Sequence, residues 1–256
     1  MCGRYALLAR TDLLREFLGI VDVEDPPARY NIAPTQPILV VVAGERQEPG
    51  SNLPERRAVL VRWGFMPGWV KDPRDFPLLI NARSETAAGK ASFKAAMRHR
   101  RILVPASGFF EWRRPEEKGA KAQAYFIRPR KGEIVAFAGL METWSSADGS
   151  EVDTGAILTT AANNDISRIH DRMPVVIRPE DFSRWLDCKT EEPRDVADLM
   201  KPIDEGFFEA IAISDKVNKV ANMGPDILEP VEEEAPVPQK NKGADAPPSS
   251  DQLSLF

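Results

Sequence analysis

The sequence is short of the residues that usually staple or metallate a protein, with only two cysteines and two histidines among 256 residues. Cys2 and Cys188 make no disulfide framework, and so few sulfur and imidazole ligands make no zinc site. A reducing cytoplasm is the expected setting, and neither a metal nor a cofactor is expected. Long apolar runs are also missing: no stretch approaches the roughly 18–20 residues that cross a bilayer, so no membrane segment is expected. The first thirty residues lack the layout of a secretion signal, because Asp12, Arg15 and Glu16 break up the only leucine cluster. There is no G-x-G-x-x-G and no G-x-x-x-x-G-K-[ST] loop, which removes the common phosphate cradles of nucleotide cofactors. No internal repeat is visible, and nothing asks for more than a monomer.

What is present describes a globular chain. Hydrophobic residues make up 43% and charged residues 29%, and the length allows a sizeable core. The net charge of −5 argues at first against a nucleic-acid partner. Its distribution removes the objection: from Glu229 onward, Glu232, Glu233, Glu234, Asp245 and Asp251 join it against only Lys240 and Lys242. The rest of the chain is near neutral and can hold a local basic groove. Residues 231–256, rich in Pro, Glu, Ala and Ser, read as a disordered tail, and residues 1–230 as one domain.

Runs rich in β-branched and aromatic residues recur as "ILVVVA", "AVLVRW", "RILVP", "AYFIRP", "IVAFAGL", "AILTT", "PVVI" and "EAIAIS", bounded by Gly or Pro. Helices are fewer. "TDLLREFLG" offers Thr11 as N-cap, apolar positions 13, 14, 17 and 18, and Gly19 as the stop. "ETAAGKASFKAAMRHR", "PEDFSRWLD" with Pro179 in its first turn, and "EPRDVADLMK" complete the set. Many short strands with scattered helices predict an α+β fold, its sheet largely antiparallel and curled towards a barrel.

The chain opens "MCGRYAL". Removal of Met1 would leave Cys2 with a free amine and a thiol on adjacent carbons; the bland alternative is a chance cysteine on a frayed end. Of the histidines, His99 in "MRHRR" reads as a solvated helix end, whereas His170 stands beside Asp171 and Arg172, which can tune an imidazole and bind an anion. Glu111 lies between Phe110 and Trp112, where partial desolvation raises a carboxyl pKa into the range of proton transfer; a surface glutamate on an edge strand is the alternative. Asn81 next to Arg83 pairs a neutral amide with a phosphate-binding fork, although Asn after a strand is commonly a turn former. Trp63 ends an apolar run and belongs in a core, while Trp69, in a Gly/Pro loop, is a candidate platform for an unpaired base. Pro34 in "RYNIAPTQP" is a candidate apolar wedge between bases.

In order along residues 1–230, "MCGRY", "RYNIAP", "WGFMPGW", "INARSET", "PASGFFEW" and "IHDRMPVVI" resemble the SRAP family, the SOS-response-associated peptidases that shield abasic sites in single-stranded DNA. The resemblance implies that the amine of Cys2 attacks the open aldehyde of an abasic deoxyribose and that its thiol closes on the imine, giving a five-membered thiazolidine and a covalent protein–DNA link. A lysine has no second nucleophile for that closure. The unperturbed α-amine, with a pKa of about 7.7–8.0, is partly neutral at pH 7. By the same resemblance His170 protonates the sugar ring oxygen, Glu111 is the acid/base, Asn81 orients Cys2, and Thr160 is a further polar contact. Arg4, Arg83 and Arg172 would clamp phosphates of a bent strand, with Trp69 stacking on a base and Pro34 wedged beside it. The family name records a peptidase activity, at least self-cleavage after residue 1. A Cys2 amide hydrolase with a nucleophilic thiol is the competing reading, and a non-covalent reader of damaged single strands is the third. The ending "QLSLF" resembles the pentapeptide with which bacterial DNA-maintenance proteins dock into the sliding clamp, with Gln252, Leu253, Leu255 and Phe256 filling its groove.

Overall fold

The computed structural model describes residues 2–21, 23, 27–44, 54–114 and 121–232; the tail motif Gln252, Leu253, Leu255 and Phe256 lies outside them. The described strands are, in chain order, β1 Tyr5–Leu7, β2 Arg29–Ile32, β3 Pro37–Ala43, β4 Arg56–Trp63, β5 Asn81–Arg83, β6 Arg101–Ala106 and β7 Gly108–Arg113. They continue with β8 Gln123–Pro129, β9 Val135–Ser145, β10 Glu151–Ala161, β11 Arg172–Pro174, β12 Val176–Ile177 and β13 Phe208–Ile213. The α-helices are short: α1 Thr11–Leu18, α2 Ser84–Ala87, α3 Lys94–His99, α4 Asn164–Ser167 and α5 Phe182–Leu186.

Five strands close on themselves. β3 pairs with β4, β4 with β10, β10 with β9, β9 with β6, and β6 returns to β3. Closure leaves this barrel without a free edge, the arrangement that best protects backbone amides. Only the β10 pairings with β4 and β5 are parallel. β10 serves both of its edges along its length: one edge meets β4 and then β5, the other β9 and then β11. A second, wholly antiparallel sheet runs in the order β13-β8-β7-β1-β2. The architecture is the expected α+β fold with a largely antiparallel, curled sheet.

One apolar core joins the two sheets, with Tyr5 and Phe109 from the second sheet packed into the same cluster as Val40, Trp63 and Phe137 of the barrel. Gly108 makes the seam possible. A Cβ there would come within 2.6 Å of both the Ile127 carbonyl and the Phe126 ring, so any side chain would push β7 off β8. At the other end of the core Arg101 is only 2% exposed. Its guanidinium donates to the carbonyls of Trp185 (2.6 Å), Met97 (2.9 Å), Asp187 (2.7 Å) and Glu191 (3.0 Å). Those four bonds satisfy a charge that burial alone would expel.

Three helical expectations need correction. α1 ends on Gly19 in the left-handed region (φ 64°), as read, but the N-cap is Arg10 and not Thr11. Arg10 folds its guanidinium onto Asp12 in the first turn. "ETAAGKASFKAAMRHR" is two helices, α2 and α3, because Gly89 falls mid-run, where it favours a turn over a helix. "EPRDVADLMK" yields only a 3-10 turn, Ala197–Met200. The backbone closes i→i+3 bonds there, from the amides of Asp195 to Glu192 (2.9 Å), Ala197 to Arg194 (3.4 Å) and Leu199 to Val196 (3.1 Å), in place of the i→i+4 ladder of an α-helix.

Candidate active site

Cys2 enters the fold just before β1, the strand held between β2 and β7. Tyr5 pairs with Ile32 on one side and Phe109 on the other, and the Phe110 amide donates to the Arg4 carbonyl at 3.0 Å. This register lays the N-terminal segment along the part of β7 that carries Glu111. Cys2 is 1% exposed and Glu111 3%. The Cys2 thiol donates to the Arg4 carbonyl at 3.6 Å. Burial first, and the charge of Glu111 second, push the thiol far above its ordinary pKa, so at rest it is a thiol and not a thiolate. Glu111 is also raised, by burial, with the positive amino terminus and His170 pulling the other way.

Asn81 closes the third side. It leads β5, whose parallel pairing places Asn81 beside Ile157 of β10. Its Nδ2 donates to the Cys2 carbonyl at 2.9 Å, and its Oδ1 is buried with no donor among the described residues. A buried acceptor left open is costly, and here it stands next to the residue whose amine Met1 removal would free.

His170 comes from the link between β10 and β11, where its amide donates to the Ile166 carbonyl at 3.0 Å as α4 ends. Its Nδ1 is approached by the Arg172 amide (3.0 Å) and by Asp171 Oδ1 (2.9 Å). A backbone amide always carries its hydrogen, so in the neutral ring Nδ1 accepts from Arg172 and the ring proton sits on Nε2. Asp171, 86% exposed, is the partner free to turn away. Cys2, Asn81, Glu111 and His170 thus converge from four separate segments at the junction of the barrel and the second sheet. A hydrogen bond joins Asn81 to Cys2, and mutual electrostatics join Glu111 to Cys2 and to His170.

The cationic and aromatic residues fall into different settings. Arg4 is committed inside the protein, donating to Asn31 Oδ1 (2.9 Å) and to the carbonyls of Val217 (2.7 Å) and Asn218 (3.2 Å). Arg83 is exposed at the end of β5. Arg172 forms a two-pronged ion pair with Glu85. Thr160 does not face Cys2 in any described contact; it lines a cavity of about 870 Å³ with Ser84 and Glu85. Trp63 is fully buried and donates to the Ile80 carbonyl at 3.0 Å. Trp69 is 61% exposed, set edge-on against Phe76 at 5.5 Å. The loop behind it is pinned by Trp144, which donates to the Val70 carbonyl at 2.7 Å.

Pro34 is half-buried and precedes Thr35, whose φ of 74° is the only positive value on a non-glycine residue among the described residues. A β-branched residue there is strained. The strain is held by the Thr35 amide, bonded to the Trp63 carbonyl at 2.7 Å, and by Gln36, which accepts from Arg29 at 2.7 Å.

A cavity of about 1100 Å³ bordered by Arg56, Arg100, Asp153 and Cys188 contains none of these site residues. Size does not locate the chemistry here; the convergence of buried thiol, carboxyl and amide does. Sequence reasoning passed over Asn31, which fixes Arg4, and Glu85, which fixes Arg172. Neither residue type carries a motif signal by itself.

Comparison with known proteins spans the segments that carry these residues. The family signature described as SOS response associated peptidase (SRAP) matches residues 1–220. The abasic site processing protein YoqW of Bacillus subtilis is 35% identical over 233 residues, covering 90% of this chain and 99% of the relative. The abasic site processing protein YedK of Escherichia coli is 32% identical over 242 residues, covering 90% of this chain and all of the relative. Among solved structures, a protein from Bacteroides thetaiotaomicron superposes with a TM-score of 0.71 at 25% identity, over 90% of this chain and 100% of that one.

Proposed function

The chain belongs to the SOS response associated peptidase family, and from that premise we propose that it captures abasic sites in single-stranded DNA as a thiazolidine on Cys2. The observation that carries the proposal is the buried Cys2, held between the amide of Asn81 and the carboxyl of Glu111. Met1 removal exposes the amine beside the open Asn81 Oδ1, which accepts one of its hydrogens and aims the nitrogen lone pair. The Nε2–H of His170 donates to the sugar ring oxygen and promotes opening to the aldehyde. The amine adds to that aldehyde, and Glu111 carries the proton that leaves with the hydroxyl as water. The thiol then adds across the C=N bond: sulfur bonds to carbon, and the thiol proton passes to nitrogen. Protein and DNA are joined with the loss of one water. A thiol kept protonated until an iminium forms beside it suits this order of events better than direct attack on an amide, which needs a thiolate.

Arg83 and Arg172 are proposed to hold phosphates on either side of the reacting sugar, with Trp69 stacking on a base and Pro34 wedged beside it; Arg4, expected to join that clamp, is spent instead on Asn31 and on the Val217 and Asn218 carbonyls. Thr160 would then serve the flanking strand from its own cavity. From sequence alone, residues 252–256 are proposed to dock into a bacterial sliding clamp. Deleting them is expected to abolish clamp binding and leave cross-linking in solution unchanged.

Denaturing electrophoresis with intact-mass analysis tests the central claim. Processed protein is incubated with a single-stranded oligonucleotide bearing one abasic site, beside a Cys2→Ser control. The expected product is heat-stable, weighs protein plus DNA minus one water, and maps to Cys2. Binding without any adduct would leave the non-covalent reader as the better account.

A further inference from the structure

Glu85 has no task in the reaction just described, yet it occupies one of its cations. It is the second residue of α2, and its carboxylate meets the guanidinium of Arg172 end-on. Nη1 donates to Oε1 at 2.6 Å and Nη2 to Oε2 at 2.8 Å. The two partners are not equally fixed. The Arg172 side chain is 13% exposed, sits on β11 opposite Ala161, and also donates to the Thr159 carbonyl at 2.6 Å. Its Nε is buried and has no partner among the described residues. The Glu85 side chain is 49% exposed. If the pair opens, Glu85 is the member that leaves.

Two oxygens across a guanidinium fork is also how a phosphate binds arginine. Arg101 and Arg4 differ in this respect: Arg101 holds only backbone carbonyls, and Arg4 holds the Val217 and Asn218 carbonyls together with Asn31 Oδ1, partners built into the fold. The geometry points to Glu85 as an internal stand-in for a DNA phosphate, which an incoming strand displaces from Arg172 and which thereby sets selectivity for abasic over undamaged strands. The inference rests on the proposed role of Arg172 at a phosphate. Every strand meets the same competitor, so every encounter is weakened alike. An undamaged strand then dissociates, while an abasic strand is retained by its covalent bond.

Fluorescence anisotropy with an undamaged single-stranded oligonucleotide, titrated at several salt concentrations, tests the inference on Glu85→Gln, Glu85→Ala and Arg172→Ala. Both Glu85 variants are expected to bind roughly threefold to tenfold tighter than wild type. Their plot of log K against log salt should be steeper by up to about 0.7, one single-strand phosphate. With excess undamaged strand present, their yield of abasic cross-link should fall below that of wild type. Affinity equal to or below wild type in both Glu85 variants, with unchanged thermal melting, overturns the inference and leaves Glu85 as a positioning residue for Arg172. An Arg172→Ala protein with wild-type affinity and slope overturns the phosphate clamp itself. Adduct formation by Cys2 is read separately on the abasic oligonucleotide, so neither failure is confused with failure of the capture reaction.

Discussion

Trp63 and Trp69 stand six residues apart and do opposite things. Trp63, at the end of β4, is sealed in the core against Tyr5, ring centroids 5.4 Å apart, while Trp69 is left 61% exposed on a pinned loop. The same division separates two arginines: Arg101 is buried on four carbonyls, and Arg172 is held across one face by a half-exposed carboxylate. The barrel body uses buried partners, whereas the rim proposed to meet DNA has exposed or half-exposed ones, as an exchangeable partner requires. Burial and partner type, and not residue identity, assign each side chain to one region or the other.

Substitutions on the two sides are expected to break different properties. Arg101→Ala should be the most severe, leaving four carbonyls without this donor, those of Trp185 and Met97 fully buried, and costing about 3–5 kcal/mol in a denaturant melt. Loss of DNA binding beyond that explained by unfolding would place Arg101 in the rim and blur the division. Trp69→Ala should leave the melt almost unchanged and weaken single-strand binding by about 1–3 kcal/mol in anisotropy titrations; a strongly lowered melting temperature would return Trp69 to the body.

Glu111→Gln sharpens the comparison at the seam between the regions. The folded carboxyl is raised mainly by burial, so wild-type stability is fully present below the unfolded pKa of about 4.3 and is lost as pH rises through the folded value. The variant lacks that loss. It should melt higher than wild type at pH 7, match it at pH 4, and form little adduct at either. Thr35→Gly should have the smallest effect, relieving a strained φ for a net change within about 1 kcal/mol. Its expected signature is weaker discrimination between abasic and intact strands as Pro34 loses its fixed pose, measured by competitive cross-linking.

The same division explains what the sequence made legible. Strands of the barrel and its neighbours bury long β-branched runs such as "ILVVVA" and "IVAFAGL", and that burial writes a pattern that can be read without a structure. The strands that carry or hold the site do not. β1, β2 and β5 are three or four residues long, too short to show a period, so only their chemistry-bearing residues draw notice. Cys2, Asn81, Glu111 and His170 were visible as residue types and as pieces of a family resemblance. Their convergence depends on pairings between β1 and β7 and between β5 and β10, which no local periodicity encodes. Glu85 was invisible because its meaning lies in Arg172, 87 residues away.

Arg4 ties the start of the domain to its end. Through Arg4 and Asn31, the segment that begins at Cys2 is bonded to the carbonyls of Val217, Lys219 and Asn222. On a ribosome those partners are made at least 215 residues after Cys2. At about 5–20 residues per second, the first residues wait on the order of ten seconds or more before the segment that fixes them exists. In that interval Cys2 belongs to an end whose fixing partners do not yet exist, open to the Met1 removal proposed above, and the resulting aminothiol would be confined only once Asn222 had been made. On the proposed chemistry, the order of synthesis would separate the unmasking of a reactive group from its confinement.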